Sequence, residues 1–220
     1  MKNKIFTAQE AVSNIKDGDH IMVGGFLQGG TPDVTIRELI RQGQTNLTVT
    51  SNDTGREGTA VYDLVNAGRV SEVNATYIGL NPETGRMMLA DSSKVRLYPQ
   101  GTLAEKIRAG GYGLGGVLTA TGVGTIVETG KQKIIVDGKE YLLETALRAD
   151  VAMIKAHTAD RSGNLVIRGT AKNFNVVMAA AADYVIAEVD DIVPVGALDP
   201  EHISIPGTLV NAIVKGGSCE

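Results

Sequence analysis

Short β-type runs alternate with one-sided helical runs about four times along this chain, and few architectures accommodate that rhythm. Thr7-Ala8-Gln9-Glu10 forms a capping box, and Ala8, Ala11, Val12 and Ile15 then repeat at helical spacing. His20–Val23 reads as a strand. The helix that begins near Pro32 turns Ile36, Leu39 and Ile40 inward and Arg37, Glu38 and Arg41 outward, and Gly43 stops it. Leu47–Thr50 is the next strand, and Val61, Leu64 and Val65 mark the next helix, closed by Gly68. Val73–Ile78 and Val95–Tyr98 read as strands with Asn81-Pro82 as a turn between them, and Leu103 and Ile107 lie one turn apart on a helix after Pro99-Gln100-Gly101. The expected fold is α/β: three layers, a mostly parallel sheet with helices on both faces. Further strands are expected at Val151–Lys155 and Tyr184–Glu188.

The middle of the chain changes character. After the glycine-dense stretch Gly110–Gly116, Lys133–Val136 and Lys139–Leu143 flank Asp137-Gly138, a pair suited to a two-residue hairpin turn with positive φ. A small β-rich insert over roughly residues 115–145 is expected, decorating one domain that spans residues 1–220. Functional loops of a parallel sheet lie at the carboxyl ends of its strands. Gly24–Pro32, Ser51–Gly58 and Pro99–Gly101 all fall there, so three loops distant in sequence should meet on one rim.

Composition narrows the function classes. The formal net charge is −4, the sequence pI is about 5.5 and there is no tryptophan. This lacks the basic stripe and stacking surface of a nucleic-acid protein. The single cysteine, Cys219, excludes an internal disulfide and a thiol-based zinc cluster, and reads as an exposed tail thiol. Met1 to Glu10 has no apolar signal-peptide core, and the longest apolar run, Val176–Ala182, is far short of the roughly 18 residues of a membrane span. A cytoplasmic location is therefore expected. His20, His157 and His202 show no metal-ligand spacing, so no metal is expected. Gly111, Gly113 and Gly116 match a dinucleotide fingerprint but follow a helix, not a strand, and Asp190-Asp191 reads as a solvated turn.

Twenty-seven glycines, about 12% against roughly 7% in ordinary usage, cluster instead of spreading. The densest functional candidate is Gly24-Gly25-Phe26-Leu27-Gln28-Gly29-Gly30-Thr31-Pro32, joining a buried strand to a helix. Glycines there let backbone approach a ligand, and N–H groups at the helix start suit negative charge or a developing oxyanion. A tight turn without a ligand fits the same residues. Asn52 and Gln100, each just past a strand end, are candidate uncharged donors to a carboxylate or thioester oxygen. The alternatives are an Asx turn at Asn52 and a helix-start cap at Gln100.

Asp17-Gly18-x-x-Ile21-Met22-Val23-Gly24-Gly25-Phe26-x-x-x-Gly30-x-Pro32 resembles the signature of the α subunit of family I CoA-transferases. The resemblance continues through Ser51-Asn52-Asp53, Asn81-Pro82-Glu83-Thr84-Gly85, Pro99-Gln100-Gly101-Thr102-Leu103, Arg108-Ala109-Gly110-Gly111, Gly122-Val123-Gly124-Thr125, Asp137-Gly138-Lys139, Leu147-Arg148-Ala149-Asp150 and Asn173-Phe174-Asn175. One departure is Thr119-Ala120-Thr121-Gly122, where the family usually has a proline at the second position.

The resemblance implies ping-pong transfer of CoA between a short-chain acyl-CoA (acetyl-, butyryl- or acetoacetyl-CoA) and a short-chain acid, through a glutamyl-CoA thioester. It implies that the nucleophilic glutamate belongs to a β-subunit partner, in a heterodimer or an α2β2 heterotetramer. Coenzyme A is then a substrate, and no cofactor or metal is expected. It also tips Gln100 towards a supporting catalytic role; Asn52 stays a candidate beside it, with its Asx-turn alternative open, and Gly24, Gly25, Phe26, Leu27, Gln28, Gly29 and Gly30 stay the candidate contacts to CoA or substrate. Glu83 and Glu128, each in a Glu-Thr-Gly triplet, look only superficially like a nucleophile loop. The alternatives are a 3-oxoadipate CoA-transferase α subunit, a non-catalytic acyl-CoA-binding protein, and a sugar-phosphate isomerase, whose acid–base pair is not evident.

Overall fold

A computed structural model describes residues 3–217, so Cys219 lies outside the described residues. The first half of the chain lays down β1 (Ile5–Phe6), α1 (Ala8–Val12), β2 (His20–Val23), α2 (Asp33–Gln42), β3 (Leu47–Ser51), α3 (Ala60–Asn66), β4 (Val70–Ala75), α4 (Pro82–Ala90), β5 (Val95–Leu97) and α5 (Gln100–Gly111). The second half adds β6 (Gly116–Thr119), β7 (Lys133–Val136), β8 (Lys139–Thr145), β9 (Ala149–Asp160), β10 (Leu165–Val166), α6 (Asn173–Ala180), β11 (Ala182–Val193) and β12 (Ala212–Lys215).

Among the described residues, nine strands form one sheet in the order β1-β12-β11-β9-β2-β3-β4-β5, with β10 paired to β9. Every pair along that path is parallel, and β10 alone runs antiparallel. Side chains alternate across each strand and separate two cores. Ile21 and Val23 of β2 join Ile36, Leu39 and Leu64 on the face covered by α1 to α4. Met22 points the other way and packs with Leu103 and Ile107 of α5 and Phe174 and Met178 of α6. The expected three-layer α/β architecture is thus present. β6, β8 and β7 form a separate antiparallel sheet. Asp137 and Gly138 take φ of 50° and 74° in its two-residue turn, as that pair favours.

From β2 the chain steps outward through β3, β4 and β5, and later fills the other side with β9, β11 and β12. The strand order therefore reverses between β2 and β9, and the glycine-rich segment leaves β2 at that switch point, where parallel sheets open a crevice at their carboxyl ends.

Several local readings need correction. Asn81-Pro82 starts α4: the Asn81 side chain accepts the Glu83 N–H, and Pro82 supplies the first helical residue. The strand expected at Val73–Ile78 begins earlier and ends at Ala75. Asp190-Asp191 lies within β11, not in a turn, because β9 and β11 continue pairing up to Val193 opposite Asp160. Pro32 precedes α2 by one residue. Among the described residues, no helix is long and apolar enough to cross a membrane.

Candidate functional site

The loops after β2, β3 and β4 and the first residue of α5 enclose a cavity of about 500 Å³. Phe26 and Leu27 come from the glycine-rich segment, Asn52 and Asp53 follow β3, Thr76, Tyr77 and Leu80 follow β4, and Gln100 opens α5. All three expected segments therefore meet on one rim, the third of them, Pro99–Gly101, as the start of α5, with the loop after β4 as an addition that the sequence did not suggest.

Polar groups in this cavity form a connected set. Gln100 Nε2 donates to Asn52 Oδ1 at 3.0 Å. Thr76 Oγ1 also donates to Asn52, at 2.8 Å to its carbonyl and 3.2 Å to Oδ1. Asn52 Nδ2 in turn donates to Asp53 Oδ2 at 2.8 Å. Asn52 is buried, so these bonds satisfy groups withdrawn from water. Its side chain runs outward to Gln100 as well as locally, beyond what an Asx turn requires. Pro99 provides the backbone cap position before α5, and the Gln100 side chain is turned to Asn52 instead of capping its helix.

The glycine-rich segment is more occupied than its sequence suggests. Phe26 and Gly29 exchange backbone hydrogen bonds, Gly24 N–H bonds to Met153 O, and Leu27 N–H bonds to Asp53 Oδ2. The start of α2 is likewise taken by a carboxylate of the chain itself: Glu188 Oε2 accepts the Thr35 N–H at 3.0 Å. The helix start therefore spends its field on Glu188, not on a substrate anion.

Gly24 and Gly25 are buried, and they line neither this cavity nor the next one. A Cβ on Gly24 would lie 1.8 Å from Asn175 Oδ1, and one on Gly25 2.5 Å from Thr31 Oγ1. These two glycines permit close backbone packing. Gln28 and Gly30 line a second hollow of about 420 Å³, together with Lys155, His157, Glu188 and Asp190. Gly29 lines neither hollow, and its carbonyl accepts from Asn173 Nδ2.

That second hollow holds a partly buried charge network around the buried Glu188, which the sequence reading missed. Lys155 Nζ lies 3.2 Å from Glu188 and 2.7 Å from Asp190, and His157 Nδ1 lies 3.2 Å from Asp190. Burial pushes the Glu188 carboxyl up, against the Thr35 N–H and the nearby Lys155 charge. Burial opposes the Lys155 charge too, but Asp190 and Glu188 outweigh it and hold its pKa up. The available signal was a lone Lys and a lone Glu at the ends of the apolar runs Val151–Lys155 and Tyr184–Glu188.

Neither Glu-Thr-Gly glutamate reaches the Gln100 cavity. Glu83 pairs with Arg86 and lines a separate hollow with Val70 and Ser71. Glu128 accepts the Gly124 N–H and pairs with Lys133, and these contacts hold its carboxyl below the usual range. Among the described residues, no cluster of three or more His, Cys, Asp or Glu side chains could hold a metal ion.

A family model described as "Coenzyme A transferase" matches residues 5–216. The chain belongs to the coenzyme A transferase family. It is 49% identical over 214 residues to the acetate CoA-transferase subunit alpha of Escherichia coli K12, covering 97% of each chain. It is 48% identical over 215 residues to the acetoacetyl-CoA:acetate/butyrate CoA transferase alpha subunit of Clostridium acetobutylicum, covering 98% of this chain and 99% of that one. Within the family it is therefore an α-type chain, one subunit of a heteromeric transferase. Its fold superposes with a TM-score of 0.83 and 26% identity on an acyl-CoA transferase from E. coli O157:H7, solved as a thioester complex with CoA. The match covers 98% of this chain and 47% of that one, so the chain spans about half the length of that transferase.

Proposed function

We propose that this chain is the α half of an enzyme that moves CoA between a short-chain acyl-CoA (acetyl-, butyryl- or acetoacetyl-CoA) and a short-chain monocarboxylic acid. The observation that carries the reading is the state of the one carboxylate that lines the Gln100 cavity among the described residues. Both oxygens of Asp53 are engaged: Oδ2 by the Leu27 N–H and Asn52 Nδ2, and Oδ1 by the Gly55 N–H. A carboxylate so tied is a poor nucleophile, and the nucleophilic glutamate comes from the β-type partner. That glutamate attacks the thioester carbonyl, the C–S bond breaks, and an acyl–glutamyl anhydride and CoA thiolate form. The thiolate then attacks the glutamyl carbonyl, releasing the first acid as its carboxylate and leaving a glutamyl-CoA thioester. A second acid reverses these steps. CoA enters and leaves as a substrate, and the scheme uses no cofactor.

In this scheme Gln100 and Asn52 orient the partner's glutamate or the acyl oxygen with neutral amide groups, which do not change charge between covalent states. Phe26, Leu27, Tyr77 and Leu80 leave large apolar surfaces exposed around the cavity, a setting suited to a partner subunit and the acyl chain. The partner closes this face in a heterodimer or an α2β2 heterotetramer. Among the described residues the lining includes no Lys, Arg or His, which favours a monocarboxylate over 3-oxoadipate, whose second carboxylate calls for a cation. The test is the complex with its β-type partner, acetyl-CoA as donor, and butyrate, acetoacetate and 3-oxoadipate as acceptors. The monocarboxylates are expected to accept CoA. A preference for 3-oxoadipate, or CoA binding with no transfer to any acid, would contradict the proposal.

A further inference from the structure

We propose that Asp53 is a positioning residue that sets the polarity of the Gln100 amide, in a relay running Asp53 to Asn52 to Gln100. The inference rests on the reading that Gln100 faces the reacting groups, and it adds the reason Gln100 points as it does. Asn and Gln side chains carry a donor end and an acceptor end of nearly equal shape, so each could sit either way round. A carboxylate accepts and does not donate, and this removes the ambiguity at the start of the relay. Asn52 must turn its Nδ2 toward Asp53 Oδ2, 2.8 Å away. Its Oδ1 is then left to face Gln100, which must answer with Nε2, at 3.0 Å. The Thr76 hydroxyl, 2.8 Å from the Asn52 carbonyl and 3.2 Å from the same Oδ1, is compatible with this choice. Gln100 Nε2 retains a second hydrogen, and Oε1 is held away from Asn52. The cavity thus receives an amide whose orientation was decided two residues away.

Asp53 also fixes the wall opposite. Its Oδ2 accepts the Leu27 N–H at 2.8 Å. Leu27 has φ of 54°, in the left-handed region that a leucine seldom adopts. One carboxylate therefore joins the β3 loop to the exposed Leu27 of the glycine-rich segment, and Gly55 N–H, at 2.9 Å from Oδ1, locks its rotation. Asp53 is itself buried, so none of these bonds is readily replaced by water.

Asp53→Asn is nearly isosteric but turns one oxygen into a donor. With its nitrogen at the Oδ2 position it opposes the Leu27 N–H and Asn52 Nδ2 with a donor, and Asn52 and Gln100 invert; with its nitrogen at the Oδ1 position it loses the Gly55 N–H that locks its rotation, and Asn52 is no longer fixed. The experiment compares Asp53→Asn, Gln100→Ala and the double variant with the wild type, each assembled with the β-type partner. A misplacement of about 1 Å at a reacting group costs on the order of 100-fold. Asp53→Asn is therefore expected to lower kcat by about 10- to 100-fold and to change KM less than about threefold. If Asp53 acts through Gln100, the double variant will be no slower than Gln100→Ala alone. A kcat within about twofold of wild type for Asp53→Asn, or losses that multiply in the double variant, would overturn the relay. Should Asp53→Asn fail to assemble, Asn52→Ala cuts the same relay while leaving Asp53 its bonds to Leu27 and Gly55. Losses that multiply between Asn52→Ala and Gln100→Ala would overturn the relay, and non-additive losses support it. No transfer by the wild-type complex overturns the functional reading and the relay together. An active wild type with an indifferent Asp53→Asn overturns the relay alone.

Discussion

Gln100 is exposed, yet its amide is held by the buried Asn52. Removing it leaves Asn52 Oδ1 with the Thr76 hydroxyl as partner, so no buried acceptor is orphaned. Gln100→Ala should therefore alter unfolding free energy by no more than about 1 kcal/mol. Its kcat in the assembled enzyme should fall by about 10²–10³, the typical cost of a lost oxyanion-type donor, with a much smaller rise in KM. Steady-state kinetics and a melting curve check both halves, and a large drop in Tm with near-normal turnover would make Gln100 structural. The glycines behave in the opposite way. Asn175 is wholly buried, takes the Lys155 N–H on Oδ1 and donates through Nδ2 to the carbonyls of Gly30 and Ala171. Gly24→Ala forces a methyl group against that side chain. A loss of about 1–3 kcal/mol is expected in urea unfolding, the usual penalty for overpacking. Gly25→Val does not isolate ligand obstruction, because φ of 117° and the Thr31 hydroxyl already exclude a side chain there.

At the scale of elements, α5 and the small antiparallel sheet are joined by a buried charge cluster. Lys106 of α5 lies 3.2 Å from Glu144 of β8, and Lys131 lies 2.5 Å from the other oxygen of Glu144. Glu144→Ala leaves Lys106 buried without its partner and should cost about 3–5 kcal/mol. Hydrogen exchange should show β6 to β8 opening first, and protection equal to wild type there would contradict this anchoring. At the end of β9, Asp160 accepts from the backbone and side chains of both Ser162 and Asn164. Burial raises its pKa, but these hydrogen bonds outweigh it and hold it below the ordinary 3.8. A depressed folded-state pKa adds stability that is present above the unfolded value and is lost as pH falls through the folded one. Asp160→Asn should thus weaken the protein at neutral pH and flatten its loss of stability below about pH 4. An unchanged acid limb in unfolding measurements would contradict that assignment. Elements with a clear period were legible in the sequence: α2 with its one-sided stripe, and the Asp137-Gly138 hairpin. Helix α6 was hidden because Val176–Ala182 is apolar on all sides, so no period stands out. Helix α4 was hidden by Gly85 and by the turn-like Asn81-Pro82, whose role as a helix start appears only with the cap bond in place.

Across the whole molecule, the order β9-β2-β3 places the glycine-rich segment at the sheet's switch point, and loops from one carboxyl edge supply the cavity. That convergence was legible because it follows from strand direction alone. The hydrogen-bond order among Asp53, Asn52 and Gln100 was not, because it depends on side-chain orientation across 48 residues of sequence. The same edge leaves Phe26, Leu27, Tyr77 and Leu80 exposed and, among the described residues, its one lining carboxylate tied. In the proposed scheme this chain serves chemistry whose covalent intermediate sits on another chain. Incubating the assembled complex with acetyl-CoA and no acceptor acid, then weighing each intact chain, tests it directly. A CoA adduct is expected on the β-type partner only, with this chain unmodified and inactive by itself. An adduct on this chain, or turnover by the purified chain alone, would contradict it.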